Sequence, residues 1–287
     1  MSLQIMLYGL VLGSILCLGA VGVSLAFGNL RFANFAHGDT MMLGAYMAHL
    51  GYVTLMLPWP IAMTIAIIIT ALVSIFIDQT LFRNLRKQKP VILLISSFGV
   101  ALMIRSVLLI IWGPDNMVYE TGIQRPIRIP ELGLRIKPAH ITILTGALIC
   151  VALMHILLKH TKIGKAMRAV ADNPDLARLT GIDSERIIMW TWAIAGGFAA
   201  VAGIFFAMDT RLNPQAGWQL LLPIFAAAIV GGIGRPYGAI AGGLIIGISM
   251  ETAATFMDPA YKYAVAFGLM VLTLIFRPTG IFAGRSF

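Results

Sequence analysis

Chemistry is densest in the stretch LRFANFAHGDTMMLGAYMAHL, Leu30 to Leu50, where Arg31, Asn34, His37 and Asp39 fall between two apolar runs with almost no spacer. Such side chains could cap a broken helix, because Asn and Asp accept hydrogen bonds from free backbone N–H groups. They could hydrate or close a passage. They could also move a proton, since His37 is of a type that titrates near neutral pH. An intramembrane enzyme using His37 and Asp39 needs a nucleophile or a metal partner. The chain shows no H-E-x-x-H, no G-x-S-x-G elbow and no metal-spaced His cluster. Residue type favours capping for Asp39, which can start the helix TMMLGAYMAHL, and a hydrogen-bonding role for His37. One further charge, Arg105, stands inside SSFGVALMIRSVLLIIW. A charge at that depth costs about 2.5 to 3.5 kcal/mol unless it finds water or a partner. Arg105 either lines a cavity or is structural, paired across helices or snorkelling. Asp78 and Glu251 lie nearer the ends of apolar runs and are expected to reach water.

The elements that must hold these groups are set by composition. The 287 residues are 59% hydrophobic and only 11% charged, with a mean hydropathy of +0.89, which places the chain in a membrane. A helix satisfies its own backbone in hydrocarbon, and spanning takes about 20 apolar residues. Nine apolar segments answer to this, at Leu7 to Phe27, Thr40 to Leu57, Ile61 to Phe82, Val91 to Trp112, Ala139 to Leu158, Ile187 to Met208, Leu220 to Gly232, Tyr237 to Ala254 and Lys262 to Phe276. The seventh is short enough to be re-entrant. The expected fold is an all-α polytopic membrane protein of about eight to nine hydrophobic segments, some broken or re-entrant.

Orientation follows from the placement of Lys and Arg, which are enriched in cytoplasmic loops. RNLRKQKP carries Arg83, Arg86, Lys87 and Lys89 without an acid and is placed inside. Threading outward puts Arg31, the loop 159–186, Arg235, Arg277 and Arg285 on the same side. The mixed loop 113–138, with Arg125, Arg128, Arg135 and Lys137 against Asp115, Glu120 and Glu131, is placed outside. The net charge of +9 is thus largely positive-inside bias, and no basic stripe interleaved with aromatics points to nucleic acid. No Lys or Arg precedes Arg31, so the first segment reads as a retained span and not a signal peptide. Cys17 and Cys150 lie in apolar segments without disulfide or zinc spacing and read as small buried hydrophobes.

Two places read as discontinuous helices: FGNLRFANFAHGD, and VGGIGRPYGAIAGG with Gly231, Gly232 and Pro236. Paired interruptions in the two halves of a transporter mark its pathway, because unwound backbone is tolerated at depth only where it faces protein or water. The halves do not align residue by residue, so an inverted repeat is a suspicion.

In the loop 159–186, Asn173 before Pro174 is a helix start and Gly181 a stop about two turns later. Asp183 or Ser184 caps the next helix. The short helix, Pro174 to Thr180, carries Asp175 and Arg178 and sets Leu176, Leu179 and Thr180 on one side. Those leucines either dock a partner or fold back on the bundle. KIGKAM lacks the first glycine and the hydroxyl of a phosphate loop, so the chain is not expected to hydrolyse ATP.

FANFAHGDTMMLGAYMA, GKAMRAVADNPDLARLTGIDSERI, AGGFAAVAGIFFA, AAIVGGIGRPYGAIAGGLIIG and RPTGIF, in this order and nearly end to end, resemble the permease subunits of bacterial ABC importers for branched-chain amino acids. Within that family the chain resembles the shorter of two permease paralogues that pair as a heterodimer. The resemblance implies a type II ABC importer-like fold, a single permease domain over 1–287 and a place in the bacterial inner membrane. It implies four kinds of partner: a second permease, cytoplasmic ATPase subunits that use the ATP, an external binding protein, and leucine, isoleucine or valine as cargo. No cofactor of its own is implied. It also assigns Asp172 to Ile182 as a coupling helix resting in a groove of the ATPase. Relatives that move urea, short amides or other amino acids share the motifs. An autonomous ion-coupled carrier is the rival class, weakened by the scarcity of acids at depth.

Overall fold

The computed structural model describes residues 3–86, 88–119, 126–129 and 134–282. Lys87, Glu120, Arg125, Glu131 and Arg285 lie outside the described residues. Each of the nine apolar segments forms a helix. They are α1 (Leu3–Leu30), α2 (His37–His49), α3 (Trp59–Ile77), α5 (Pro90–Trp112), α6 (Pro138–His160), α9 (Ser184–Asp209), α10 (Ala216–Gly231), α11 (Pro236–Ala253) and α12 (Lys262–Phe276). Among the described residues six helices are long and apolar enough to cross a membrane: Leu3–Leu30, Trp59–Leu85, Pro90–Trp112, Pro138–His160, Ser184–Asp209 and Pro259–Phe276. A π-helical turn extends α2 over Leu50–Thr54 and another extends α3 over Asp78–Phe82, leading into the short α4 (Arg83–Leu85).

Small residues decide the packing. α1 lies against α11 along a glycine seam, where a Cβ on Gly13 would sit 3.1 Å from Leu244 Cα and one on Gly9 2.8 Å from Ile248 Cα. Without side chains in the way the two backbones approach and gain dispersion contact, the main force available between helices in lipid. α9 uses the same device, with Gly203 against the Met41 backbone and Gly196 against Ser74 and Ala71. α1 and α9 are therefore the buried centre, whereas α3, α5, α6 and α12 turn apolar faces outward.

The loops depart from the expectation in two places. An antiparallel hairpin, β1 (Ile127–Ile129) with β2 (Leu134–Ile136), interrupts the all-α reading, paired Ile127 to Ile136 and Ile129 to Leu134. The loop 159–186 holds two helices where one was expected. α7 (Lys162–Asp172) is started by Thr161, whose Oγ1 accepts from Gly164 N at 3.0 Å. α8 (Pro174–Leu179) follows it.

The basic groups gather as expected. Arg31 donates to the Ala171 carbonyl at the end of α7, and Arg235 donates to the Phe282 carbonyl. Arg86 joins the end of α3 to the start of α9 through Asp78 and Glu185. Asp78 thus does not reach water: it is 2% exposed and its charge is met by Arg86. Glu251 likewise pairs with Lys262, at 2.6 Å. At the other end Gln4 bonds Arg135, Met117 bridges to Leu212, and Tyr119 donates to the Ala45 carbonyl at 2.8 Å. Burial pushes the Tyr119 phenol well above its ordinary range, so it stays a neutral donor.

The chain carries an inverted repeat. α1, α2, α3 and α5 follow the same plan as α9, α10, α11 and α12, with opposite direction across the bundle. α2 packs on α9 as α10 packs on α1, and α1 lies on α11 as α9 lies on α3.

Candidate functional site

The first break begins at Arg31, a non-glycine residue at φ 56°, which ends α1 in the left-handed region. Residues 32–36 then run without helix into the bundle. Asn34 turns them: its Oδ1 accepts from Ala36 N at 3.0 Å and its carbonyl from His37 N at 3.3 Å, and α2 starts at once. Phe35 N donates to Ser97 Oγ of α5 at 3.0 Å, so a backbone group freed by the break is satisfied by a neighbouring helix.

The second break lies at 210–215, not at the glycines of VGGIGRPYGAIAGG. Asn213 repeats the turn: its Oδ1 accepts from Gln215 N at 2.8 Å, its carbonyl from Ala216 N at 3.1 Å, and α10 starts at Ala216. Gly231 and Gly232 end α10 in a tight hairpin to α11. A Cβ on Gly231 would overlap the Gly238 carbonyl, and Gly232 sits at φ 108°. These glycines mark a close approach, not an interruption at depth.

The two half-helices meet head to head. Gly38 and Gly217 lie backbone to backbone, and a Cβ on either would overlap the other's carbonyl oxygen. Two helix N-termini, each the positive end of a dipole, thus converge inside the bundle. Asp39 answers them with a negative charge one residue on. Its expected capping role is not what the structure shows: Arg105 Nε and Nη2 each donate to a different Asp39 oxygen at 2.9 Å. The pair is bidentate and joins α2 to α5. The guanidinium also stands 5.6 Å from the Trp218 ring of α10, a cation–π contact. Asp39 is fully buried while the Arg105 side chain keeps 18% exposure, so one face of the arginine is open.

His37 takes no part in this group. Its ring fills the space left by Gly22, where a methyl would sit 2.7 Å from its Cε1, and its Nε2 is buried with no hydrogen-bond partner among the described residues. It wedges α1 against α2. Of the residues singled out in the sequence, the structure brings together Asn34, Asp39 and Arg105, sets His37 beside them as packing, and leaves Gly231 and Gly232 at the basic end. Trp218, Ser97 and the Asn213–Gly217 turn were missed. The signal was present as a shared spacing, Asn34-x-x-x-Gly38 and Asn213-x-x-x-Gly217, each before an apolar run.

The second candidate site is α8. Asn173 Oδ1 accepts from Asp175 N and Leu176 N at 3.1 and 3.0 Å. Gly181, at φ 85°, closes the other end: its N–H bonds the Arg178 carbonyl and Ile182 N bonds that of Ala177, a Schellman pair. Asp183, not Ser184, caps α9, accepting from Glu185 N and Arg186 N at 3.1 and 3.2 Å. Arg178 Nε reaches Ser184 Oγ at 3.3 Å and ties the two helices. Only Ala177 faces inward, whereas Leu176 and Leu179 are 58% and 85% exposed, so the leucines do not fold back on the bundle.

A multi-pass bundle in which two interrupted helices meet N-terminus to N-terminus is the architecture of a membrane transport protein, and its similarity to known proteins makes it a permease component. The family model described as the permease component of the branched-chain amino acid transport system matches residues 5–274. The high-affinity branched-chain amino acid transport system permease protein BraD of Pseudomonas aeruginosa is 31% identical, over 97% of this chain and 95% of that protein. The corresponding permease protein LivH of Escherichia coli K12 is 30% identical over 97% and 94%. A solved chain from PsaBC of Streptococcus pneumoniae, in complex with Fab, superposes with a TM-score of 0.53 at 10% identity, covering 98% of this chain and 92% of that one, and shares the fold. The chain belongs to the branched-chain amino acid transport system permease family. Members of that family work with ATPase and binding-protein components.

Proposed function

We propose that this chain is the membrane half-channel of an ATP-driven importer for leucine, isoleucine and valine, paired with a paralogous permease in the bacterial inner membrane. An external binding protein selects the cargo. The ATP is used by the ATPase partners, and the permease needs no cofactor of its own. The observation that carries the reading is α8: a helix capped at both ends whose two large apolar side chains point away from the bundle at its basic end. An autonomous carrier has no use for such a surface.

Packing connects that surface to the passage. α8 is tied to the start of α9, and Trp192 of α9 stacks on Phe82 with centroids 5.1 Å apart. Phe82 touches Phe32, two residues before the Asn34 turn, at 5.4 Å. A push on α8 is thus delivered to the segment that starts α2. At the meeting point, Arg105, Asp39 and Trp218 hold α2, α5 and α10 together while Arg105 keeps an open face toward the passage.

The test is uptake of radiolabelled leucine by cells expressing the complete system, with and without this subunit, with ATP and ion gradients collapsed separately. Subunit-dependent uptake that needs ATP and survives ionophores is expected. Competition by urea alone would change the cargo, and uptake that follows an ion gradient without an ATPase would overturn the mechanism.

A further inference from the structure

At the external end, above the second break, lies a groove of about 460 Å³ lined by Asn116, Phe206, Arg211, Asn213, Gln215 and Gln219, among others. Arg211 is its one charged group among the described lining residues. It is exposed and, among the described residues, has no carboxylate within ion-pair distance. Asn213 is fixed in the floor, its Nδ2 donating to Asn116 Oδ1 at 2.8 Å while its own Oδ1 starts the α10 turn. Gln215 and Gln219, four residues apart, stand one above the other on the open face of α10. The lining is therefore polar apart from Phe206 and Ala216.

We infer that this groove is the vestibule of the passage, in which Arg211 receives the carboxylate of an α-amino acid released at the external face. The inference rests on the importer reading. A guanidinium presents a planar fork that fits a carboxylate, and the positive end of α10 lies beside it. The amide carbonyls of Gln215 and Gln219 accept from the ammonium group. Half-buried Phe206 gives an aliphatic side chain an apolar surface to lie on. No acid among the described lining residues holds the ammonium as an ion pair, so the cargo is met weakly enough to move on. A lone cation at the mouth also works against cargo with a net positive charge, so lysine and arginine are disfavoured.

The test uses the complete importer in proteoliposomes. Arg211→Ala is expected to cut leucine uptake about tenfold, the scale of one charge-assisted hydrogen bond. Complex assembly, read by co-purification, stays as in the parent, and Arg211→Lys, which keeps the charge but not the fork, recovers uptake in part. In a second arm, Gln215→Cys is labelled by a membrane-impermeant thiol reagent. Leucine and isovalerate slow the labelling, and isopentylamine, which lacks the carboxylate, does not. Parent-level uptake by Arg211→Ala, or labelling indifferent to leucine, overturns the vestibule while leaving the importer intact. Failure of the parent system to carry any amino acid overturns the importer reading and the vestibule with it.

Discussion

With both carboxylate oxygens of Asp39 held by Arg105, removing either partner leaves a charge inside the bundle with nothing to answer it. Breaking such a pair costs about 3–5 kcal/mol, whereas removing both ends costs less than the sum. Asp39→Ala and Arg105→Ala are each expected to melt well below the parent in detergent, and the double variant no lower than the worse single. Melting temperatures of the three proteins decide it, and strict additivity would show the two groups to be independent. The sequence pointed to Asn34, Asp39 and Arg105, because polar groups in apolar runs announce themselves, and passed over Trp218, an aromatic at an ordinary apolar position. It misassigned Asp39. A cap is a local device, readable from the next few residues, while the true partner is 66 positions away and invisible to any local pattern.

At the scale of the element, α8 was legible because every device that makes it is short-range: Asn173 and Pro174 at the start, Gly181 at the stop, Asp183 beyond. Changing both Leu176 and Leu179 to aspartate is expected to abolish co-purification of the ATPase while membrane insertion is unaffected. Unaltered co-purification would remove the docking role. The second break was not legible, because abundant glycine drew attention to Gly231 and Gly232. Glycine in this bundle mostly marks where two backbones touch, and asparagine sets the break. Gly217→Leu is therefore expected to destroy the meeting of α2 and α10 and block transport, measured as uptake per folded complex. Gly268→Leu, on α12, serves as a control, since a Cβ there meets nothing within 4 Å. Equal activity in both variants would show that the meeting point is dispensable.

At the scale of the whole molecule, the outward apolar flank that borders the meeting point of α2 and α10 is that of α5. Phe98 of α5 packs edge-on against Trp218 at 5.6 Å and is 40% exposed, with Leu102 exposed beside it. This flank adjoins the open face of α10, so the second permease must cover it if the passage runs between two subunits. Single cysteines at Phe98 or Leu102 are expected to cross-link to the partner permease, and one at Phe76, on α3, is not. Cross-links at Phe76 alone would place the partner elsewhere. The nine apolar helices and the basic end were readable from composition and charge, and the resemblance from the motifs, but length lets six of the helices span alone. The inverted repeat was not, because its halves share a turn and a packing plan and almost no residues.

The same repeat gives α6 its task. Four crossings bring a chain back to the side it left, so a second run of the α1, α2, α3 and α5 plan laid directly after the first would face the same way. α6 stands outside the repeat and adds the odd crossing that turns the second run over. One asparagine turn thus enters beside α7 and the other beside Asn116, from opposite ends, and that is why the half-helices they start can meet in the middle.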